Sequence, residues 1–111
     1  GNNISAQEVE NVLQGHPDVM DVAAVAMPDE RLGEGICVYV VAKDTQTSPS
    51  LLSLTDYMRE QKIAVYKLPE RLEMCDAIPR NPVGKIIKNS LRDDVTEKLK
   101  NEGKLKAEVS A

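Results

Sequence analysis

Apolar residues fall into six blocks whose spacing changes along the chain. The first follows Ile4-Ser5-Ala6-Gln7-Glu8-Val9, where Ser5 is placed to cap the Glu8 amide and Glu8 to reach back to the Ser5 amide, a capping box. Ile4 and Val9 form the matching hydrophobic staple, and Val9, Val12 and Leu13 make an inward stripe that Gly15 ends, which predicts a helix over about residues 6–14. Val19 to Met27 and Ile36 to Ala42 are apolar at nearly every position and rich in valine, the pattern of strands covered on both faces. Between them Pro28 to Gly35 is polar and rich in turn formers, so the two strands are expected to pair as a hairpin with a long loop. After a polar linker at Asp44 to Ser48, Pro49 suits a first helical position, and Leu51, Leu54 and Met58 line a helix ending near Gln61 or Lys62. Arg71 to Cys75 alternates as a third strand, and Pro79 to Lys85, with two prolines and a glycine, is not expected to be regular structure. Leu91, Val95 and Leu99 recur every four residues and mark a last helix, with a fraying tail from about residue 100. The predicted fold class is α+β: a small three-stranded sheet with helices packed against it, in one domain covering residues 1–111.

Composition narrows the function. At 111 residues, with 41% hydrophobic and 29% charged residues, the chain is an ordinary globular domain, short for a complete two-substrate enzyme. No apolar stretch approaches the roughly 20 residues of a membrane span, and a soluble, cytoplasmic protein is expected. Cys37 and Cys75 stand alone and read as buried free thiols. The net charge of -4 is unevenly spread. Up to Thr55 there are two basic and eight acidic residues, whereas Arg59 to Arg92 holds eight basic and four acidic ones. An anionic partner is expected there, and nucleic acid is a poor candidate, because the chain is acidic overall and has neither Phe nor Trp for stacking.

Candidate chemistry concentrates in Ile78-Pro79-Arg80-Asn81-Pro82-Val83-Gly84-Lys85-Ile86-Ile87-Lys88. A nucleotide-binding P-loop needs Gly at position 79 and Ser or Thr at position 86, where Pro79 and Ile86 stand. What remains is a proline-stiffened loop that presents Lys85 just after Gly84, so that backbone can approach a ligand while a mobile point charge meets a phosphate or a developing oxyanion. Elsewhere the residues carry blander readings. His16 is expected to be a solvated turn residue, Asp29, Glu30 and Glu34 to be solvated loop carboxylates rather than metal ligands, and the tyrosines and methionines to pack.

Pro79-x-x-x-x-Gly84-Lys85-Ile86-x-Lys88 resembles the closing motif of the adenylate-forming superfamily, which includes acyl-CoA and aryl-CoA synthetases, nonribosomal peptide adenylation domains and luciferases. Gly1 to Glu10 resembles the second half of that superfamily's hinge motif. His16-Pro17-x-Val19, Pro28-Asp29-x-x-x-Gly33-Glu34 and Tyr66-Lys67-x-Pro69 resemble intervening signatures, in order, so the likeness runs from residue 1 to about 99. It is a likeness to the small C-terminal lid domain, and it implies a longer ligase whose large N-terminal domain holds the phosphate loop, the adenine and acid pockets and the magnesium ligands. The resemblance implies that Lys85 meets the substrate carboxylate and phosphate oxygens during adenylation with ATP, and that Gly84 lets the backbone come close. The resemblance also implies that the lid then turns to offer Gly1, Asn2 and Asn3 to the pantetheine arm of coenzyme A. Arg59 to Arg71 also resembles the corresponding stretch of dihydroxybenzoate-AMP ligases, which load a phosphopantetheine carrier protein, so both acceptors stay open. A non-catalytic anion-binding module is the rival of a different class. Many members carry Thr where Asn81 or Val83 stands, and Val83 is expected to pack instead. The isolated domain is expected to be inactive.

Overall fold

The computed structural model describes residues 4–29, 33–44, 46–61 and 68–103, with side chains left out at 4, 5, 29, 33 and 34. The elements are α1 (Ile4–Leu13), β1 (Val19–Asp29), β2 (Gly33–Ala42), α2 (Leu51–Glu60), β3 (Arg71–Met74) and α3 (Lys88–Asn101). The sheet order is β1-β2-β3, with β1 and β2 antiparallel and β3 added parallel to β2. This is the α+β architecture that the hydrophobic pattern predicts.

Successive residues of β1 and β2 point to opposite faces, and both faces are covered. Val22, Ala24, Ile36, Val38 and Val40 pack on Val9 and Leu13 of α1 and on Leu54 and Met58 of α2. Ala23, Val25, Met27, Cys37, Tyr39 and Val41 pack on Leu91, Val95 and Leu99 of α3 and on Ile78. Each fully buried Val or Leu contributes about 1.5–3 kcal/mol. A typical exposed ion pair contributes about 0–1 kcal/mol, so apolar burial rather than surface charge holds the three layers together. A register shift between Val19 and Asp21 turns Met20 outward, 58% exposed, and lets both Val19 and Val22 join the first cluster.

Several boundaries differ from the sequence pattern. The hairpin pairing runs on through Met27↔Gly35, Pro28↔Glu34 and Asp29↔Gly33, so most of the expected long loop is strand. Backbone pairing needs no apolar side chain, and the hydrophobic pattern stops before the ladder does. Pro28 is tolerated for a specific reason. The Val22 and Ala24 N–H groups bond to the Asp21 and Glu10 side chains, so this parity of β1 faces away from β2, and a missing N–H at Pro28 costs no ladder bond. α2 begins at Leu51 after Ser50, whose hydroxyl accepts from the Ser53 N–H at 3.0 Å, so the hydroxyl cap rather than Pro49 sets the start. α1 already includes Ser5, and the capping-box and staple side chains of Ser5 and Ile4 lie outside the described residues.

His16 is not solvated. It is 5% exposed, with Nδ1 accepting from the Asp18 N–H at 3.0 Å, which leaves Nε2 to donate to the Ser53 hydroxyl at 3.0 Å. Its ring lies 5.1 Å from that of Tyr57, making it a joint between the end of α1 and α2. Cys37 is buried as expected, but Cys75 is only half-buried, because β3 ends before it and the chain turns outward at Asp76. A charged lattice ties the short β3 to α3: Arg71 pairs with Glu73 at 2.8 Å and Glu102 at 2.6 Å, and Lys98 pairs with Glu73 at 2.8 Å. The Tyr39 hydroxyl donates to Asp94 at 2.6 Å, and burial together with that carboxylate pushes its ionisation far above the ordinary phenol range.

Candidate functional site

Pro79 to Lys85, expected to lack regular structure, belong to a tight hairpin that runs from residue 79 to residue 87. Arg80 and Ile86 pair across its base as an antiparallel bridge, and the Ile87 N–H donates to the Pro79 carbonyl at 3.0 Å. Asn81-Pro82-Val83-Gly84 is the turn: the Gly84 N–H donates to the Asn81 carbonyl at 2.8 Å, and Gly84 has φ +94°, a conformation that disfavours side chains with a Cβ. The Asn81 side-chain oxygen accepts from the Val83 N–H at 3.0 Å and the Lys85 N–H at 2.9 Å, while the Asn81 N–H donates to the Lys85 carbonyl at 2.9 Å.

The hairpin is fastened to the body by apolar and charged groups. Ile78 is buried and Ile86 packs beside it against the second core face. Arg80 grips Asp21 of β1 with two nitrogens, at 2.6 and 3.2 Å. This guanidinium draws the Asp21 carboxyl below its ordinary range, against the opposing effect of partial burial. At the far end Lys88 donates to the Ala24 carbonyl at 2.8 Å and pairs with the buried Glu10 at 2.5 Å, whose carboxylate also accepts from the Ala24 N–H at 2.8 Å. Glu10 and Lys88 thus satisfy both outward-facing backbone groups of one residue on an edge strand.

Against this fastened frame the tip stands clear. Pro82, Val83, Gly84 and Lys85 are all exposed, and the Lys85 ammonium has neither a hydrogen bond nor an ion pair among the described residues. Val83 does not pack as expected; it is 86% exposed, because the turn carries it away from the sheet. Nothing lies within 4 Å of where a Gly84 Cβ would be, so the left-handed backbone rather than crowding calls for glycine there. The arrangement is a cation held at the end of a rigid arm, suited to entering a cleft that binds phosphate or carboxylate.

Of the other expected site residues, Gly1, Asn2 and Asn3 lie outside the described residues, as do Glu30, Tyr66 and Lys67; so do the side chains of Asp29 and Glu34. Among the described residues no group of three or more His, Cys, Asp or Glu is placed to hold a metal. Likewise, no helix among them is long and apolar enough to cross a membrane. Sequence reasoning missed Asp21, Glu10 and Asn81. The first two are separated from their partners by 59 and 78 positions and leave no local signal, whereas Asn-Pro-x-Gly is recognisable turn chemistry.

Residues 8–85 match the family described as the AMP-binding enzyme C-terminal domain. The 2,3-dihydroxybenzoate-AMP ligase of Bacillus subtilis (strain 168) is 42% identical over 99 residues, covering 89% of this chain and 18% of that protein. The medium-chain fatty-acid–CoA ligase of Escherichia coli (strain K12) is 43% identical over the same length, again 89% and 18%. Among solved structures, the Mycobacterium tuberculosis fatty acyl CoA synthetase superposes with a TM-score of 0.70 at 38% identity, over 82% of this chain and 18% of that one. The chain therefore spans less than a fifth of the length of these relatives. With most of its residues matched and relatives above 40% identity, the chain belongs to the family of AMP-binding enzyme C-terminal domains, the C-terminal piece of adenylate-forming ligases.

Proposed function

We propose that residues 1–111 are the lid domain of an ATP-dependent, AMP-forming acid–thiol ligase, in which Lys85 is the catalytic residue of the adenylation step. The observation that carries this reading is a contrast within one hairpin. Arg80 and Lys88 are each neutralised by a carboxylate, Asp21 and Glu10, whereas Lys85 between them is exposed and free of any partner among the described residues. A cation kept available on a stiff arm is the device that charge development at a phosphate requires.

In the first half-reaction the substrate carboxylate attacks the α-phosphorus of ATP, the bond to pyrophosphate breaks, and acyl-AMP forms. Lys85 places its ammonium on the carboxylate and phosphate oxygens as negative charge shifts between them, and Gly84 lets the backbone approach. A magnesium ion, held by the large N-terminal domain of the same polypeptide, would offset triphosphate charge. In the second half-reaction the thiol of a phosphopantetheine arm attacks the acyl carbon and AMP leaves, with Gly1, Asn2 and Asn3 lining the arm's path. The acid and adenine pockets belong to the large domain, so the lid on its own is inactive. The thiol is that of coenzyme A. A phosphopantetheine carrier protein is the second reading, supported by the equal similarity to an aryl-AMP ligase and a fatty-acid–CoA ligase. Cytoplasmic location is part of the same proposal.

Lys85→Ala in the full-length ligase tests the role. Pyrophosphate release with ATP and acid is expected to slow by about 10²–10³, the scale of losing one preorganised transition-state contact. Thioester formation from supplied acyl-AMP is expected to stay within a few-fold of wild type. Unchanged pyrophosphate release would favour the non-catalytic anion-binding module. Running the second step with coenzyme A and with holo carrier protein separates the acceptors.

A further inference from the structure

Apolar contact does little to hold the tip that carries Lys85. Val83 is 86% exposed, Pro82 and Gly84 are exposed, and no residue between Ile78 and Ile86 belongs to either core cluster. Apolar packing therefore fixes the base of the hairpin and leaves the turn itself to hydrogen bonds. Those bonds converge on one residue. Both backbone groups of Lys85 end on Asn81, the N–H on its side-chain oxygen at 2.9 Å and the carbonyl on its N–H at 2.9 Å. The same side-chain oxygen takes the Val83 N–H at 3.0 Å, and the Asn81 carbonyl takes the Gly84 N–H at 2.8 Å. One side chain thus fixes where the Lys85 side chain starts and in which direction it leaves the turn. Arg80, the preceding residue, is clamped to Asp21 on β1, so the frame that Asn81 defines is the frame of the whole domain.

On the reading that Lys85 serves adenylation, we infer that Asn81 is a positioning residue for Lys85: its side-chain oxygen aims the lysine without touching substrate. A long lysine side chain leaving a loosened turn samples many end positions. Misplacement of a reacting group by about 1 Å is enough to cost on the order of 10²-fold in rate. Asn81 bears on adenylation alone, because the thiol-transfer step does not use Lys85. Removing its oxygen loosens the turn before it touches the rest of the fold, since the bonds it makes lie on an exposed turn outside both cores.

The test is made in the full-length ligase with four variants: Asn81→Ala, Asn81→Asp, Asn81→Thr and Lys85→Ala. Asn81→Ala is expected to lower kcat for pyrophosphate release by about 10- to 100-fold. KM for ATP should change by less than about three-fold, thiol transfer from acyl-AMP should be unaffected, and the melting temperature should fall by no more than a few degrees. Hydrogen exchange over residues 79–87 should quicken at the Val83 and Lys85 amides. Asp and Thr each keep an acceptor at this position, and at least one is expected to recover most of the lost rate. Lys85→Ala slow with Asn81→Ala at wild-type rate would overturn the positioning role alone. Equal loss in both half-reactions, or no recovery by either acceptor variant, would also overturn it. Lys85→Ala at wild-type rate would overturn the reading of Lys85 and this inference together.

Discussion

Replacing Lys88 by Met isolates the ion pair that closes the open edge of β1. In the native fold Glu10 has about a tenth of its side chain exposed and Lys88 about a third: the values are 10% and 30%. Taking away the ammonium strands the Glu10 carboxylate with the Ala24 N–H as its remaining hydrogen-bond donor among the described residues. Removing one partner of a fully buried pair costs about 3–5 kcal/mol. A pair in open solvent is worth about 0–1 kcal/mol. With one partner nearly buried and the other partly wet, about 2–3 kcal/mol is expected. The Ala24 carbonyl adds little, because the groove lined by Ala6, Gln7 and Arg92 lets water replace the lost donor. Glu10→Gln keeps an acceptor for the Ala24 N–H and should cost less, about 1–2 kcal/mol. The double variant Glu10→Gln/Lys88→Met should be more stable than the sum of the singles implies, by at least about 1 kcal/mol, since the second change no longer leaves a bare charge. Urea unfolding of the 111-residue chain, with the slope checked for constancy, reads each value, and a loss of 2 kcal/mol corresponds to a fall in Tm of about 10 °C. A Lys88→Met cost below about 0.5 kcal/mol, or strictly additive singles, would refute the idea that this pair caps the edge.

Three further outcomes follow from other contacts. Burial pushes the Cys37 thiol up to about 12, while Cys75, half-buried and also shifted upward by burial, has a route to solvent; labelling with a thiol reagent at pH 8 should modify Cys75 first and leave Cys37 until the chain is unfolded. Because Arg80 depresses the Asp21 carboxyl, its stabilisation is present above the unfolded aspartate range near pH 4 and fades as pH falls through the lower folded value; the stability deficit of Asp21→Asn should therefore be full at pH 6 and shrink steadily below pH 4, and a deficit that grows on acidification would contradict this. Gly84→Ala should cost about 1–2 kcal/mol from its positive φ alone, since its Cβ meets no neighbour, and an unchanged denaturation midpoint would show that the turn relaxes to another form.

Residues close in the chain reveal more of this molecule than residues brought together by folding. Valine-rich runs in β1 and β2 announce burial on both faces, and the four-residue spacing of Leu91, Val95 and Leu99 announces α3, because burial writes itself into local composition. The pairing of Pro28 with Glu34 and of Asp29 with Gly33 is hidden, since hydrogen bonds between backbones leave no trace in side-chain type. His16 misleads because a turn after a helix normally faces water, and only the arrival of Ser53 and Tyr57 from α2 covers it. Lys85 is legible as a candidate from its loop and motif. The residues that brace it, Asp21 through Arg80 and Glu10 through Lys88, meet it only in three dimensions.

The parallel addition of β3, reached only after α2, sets an order of assembly. β1 and β2 join across a short connection and form early, but β3 has four residues and leans on Lys98 of α3 and on Glu102 just past its end, the last part to leave the ribosome in this stretch of chain. Until α3 arrives, one whole apolar face of the hairpin, including Val25, Cys37 and Tyr39, is bare to water and to other nascent chains. The interval before residues 88–101 are made is thus when this domain is most open to misassociation, and also when Cys37, so inert in the finished fold, is open to oxidation.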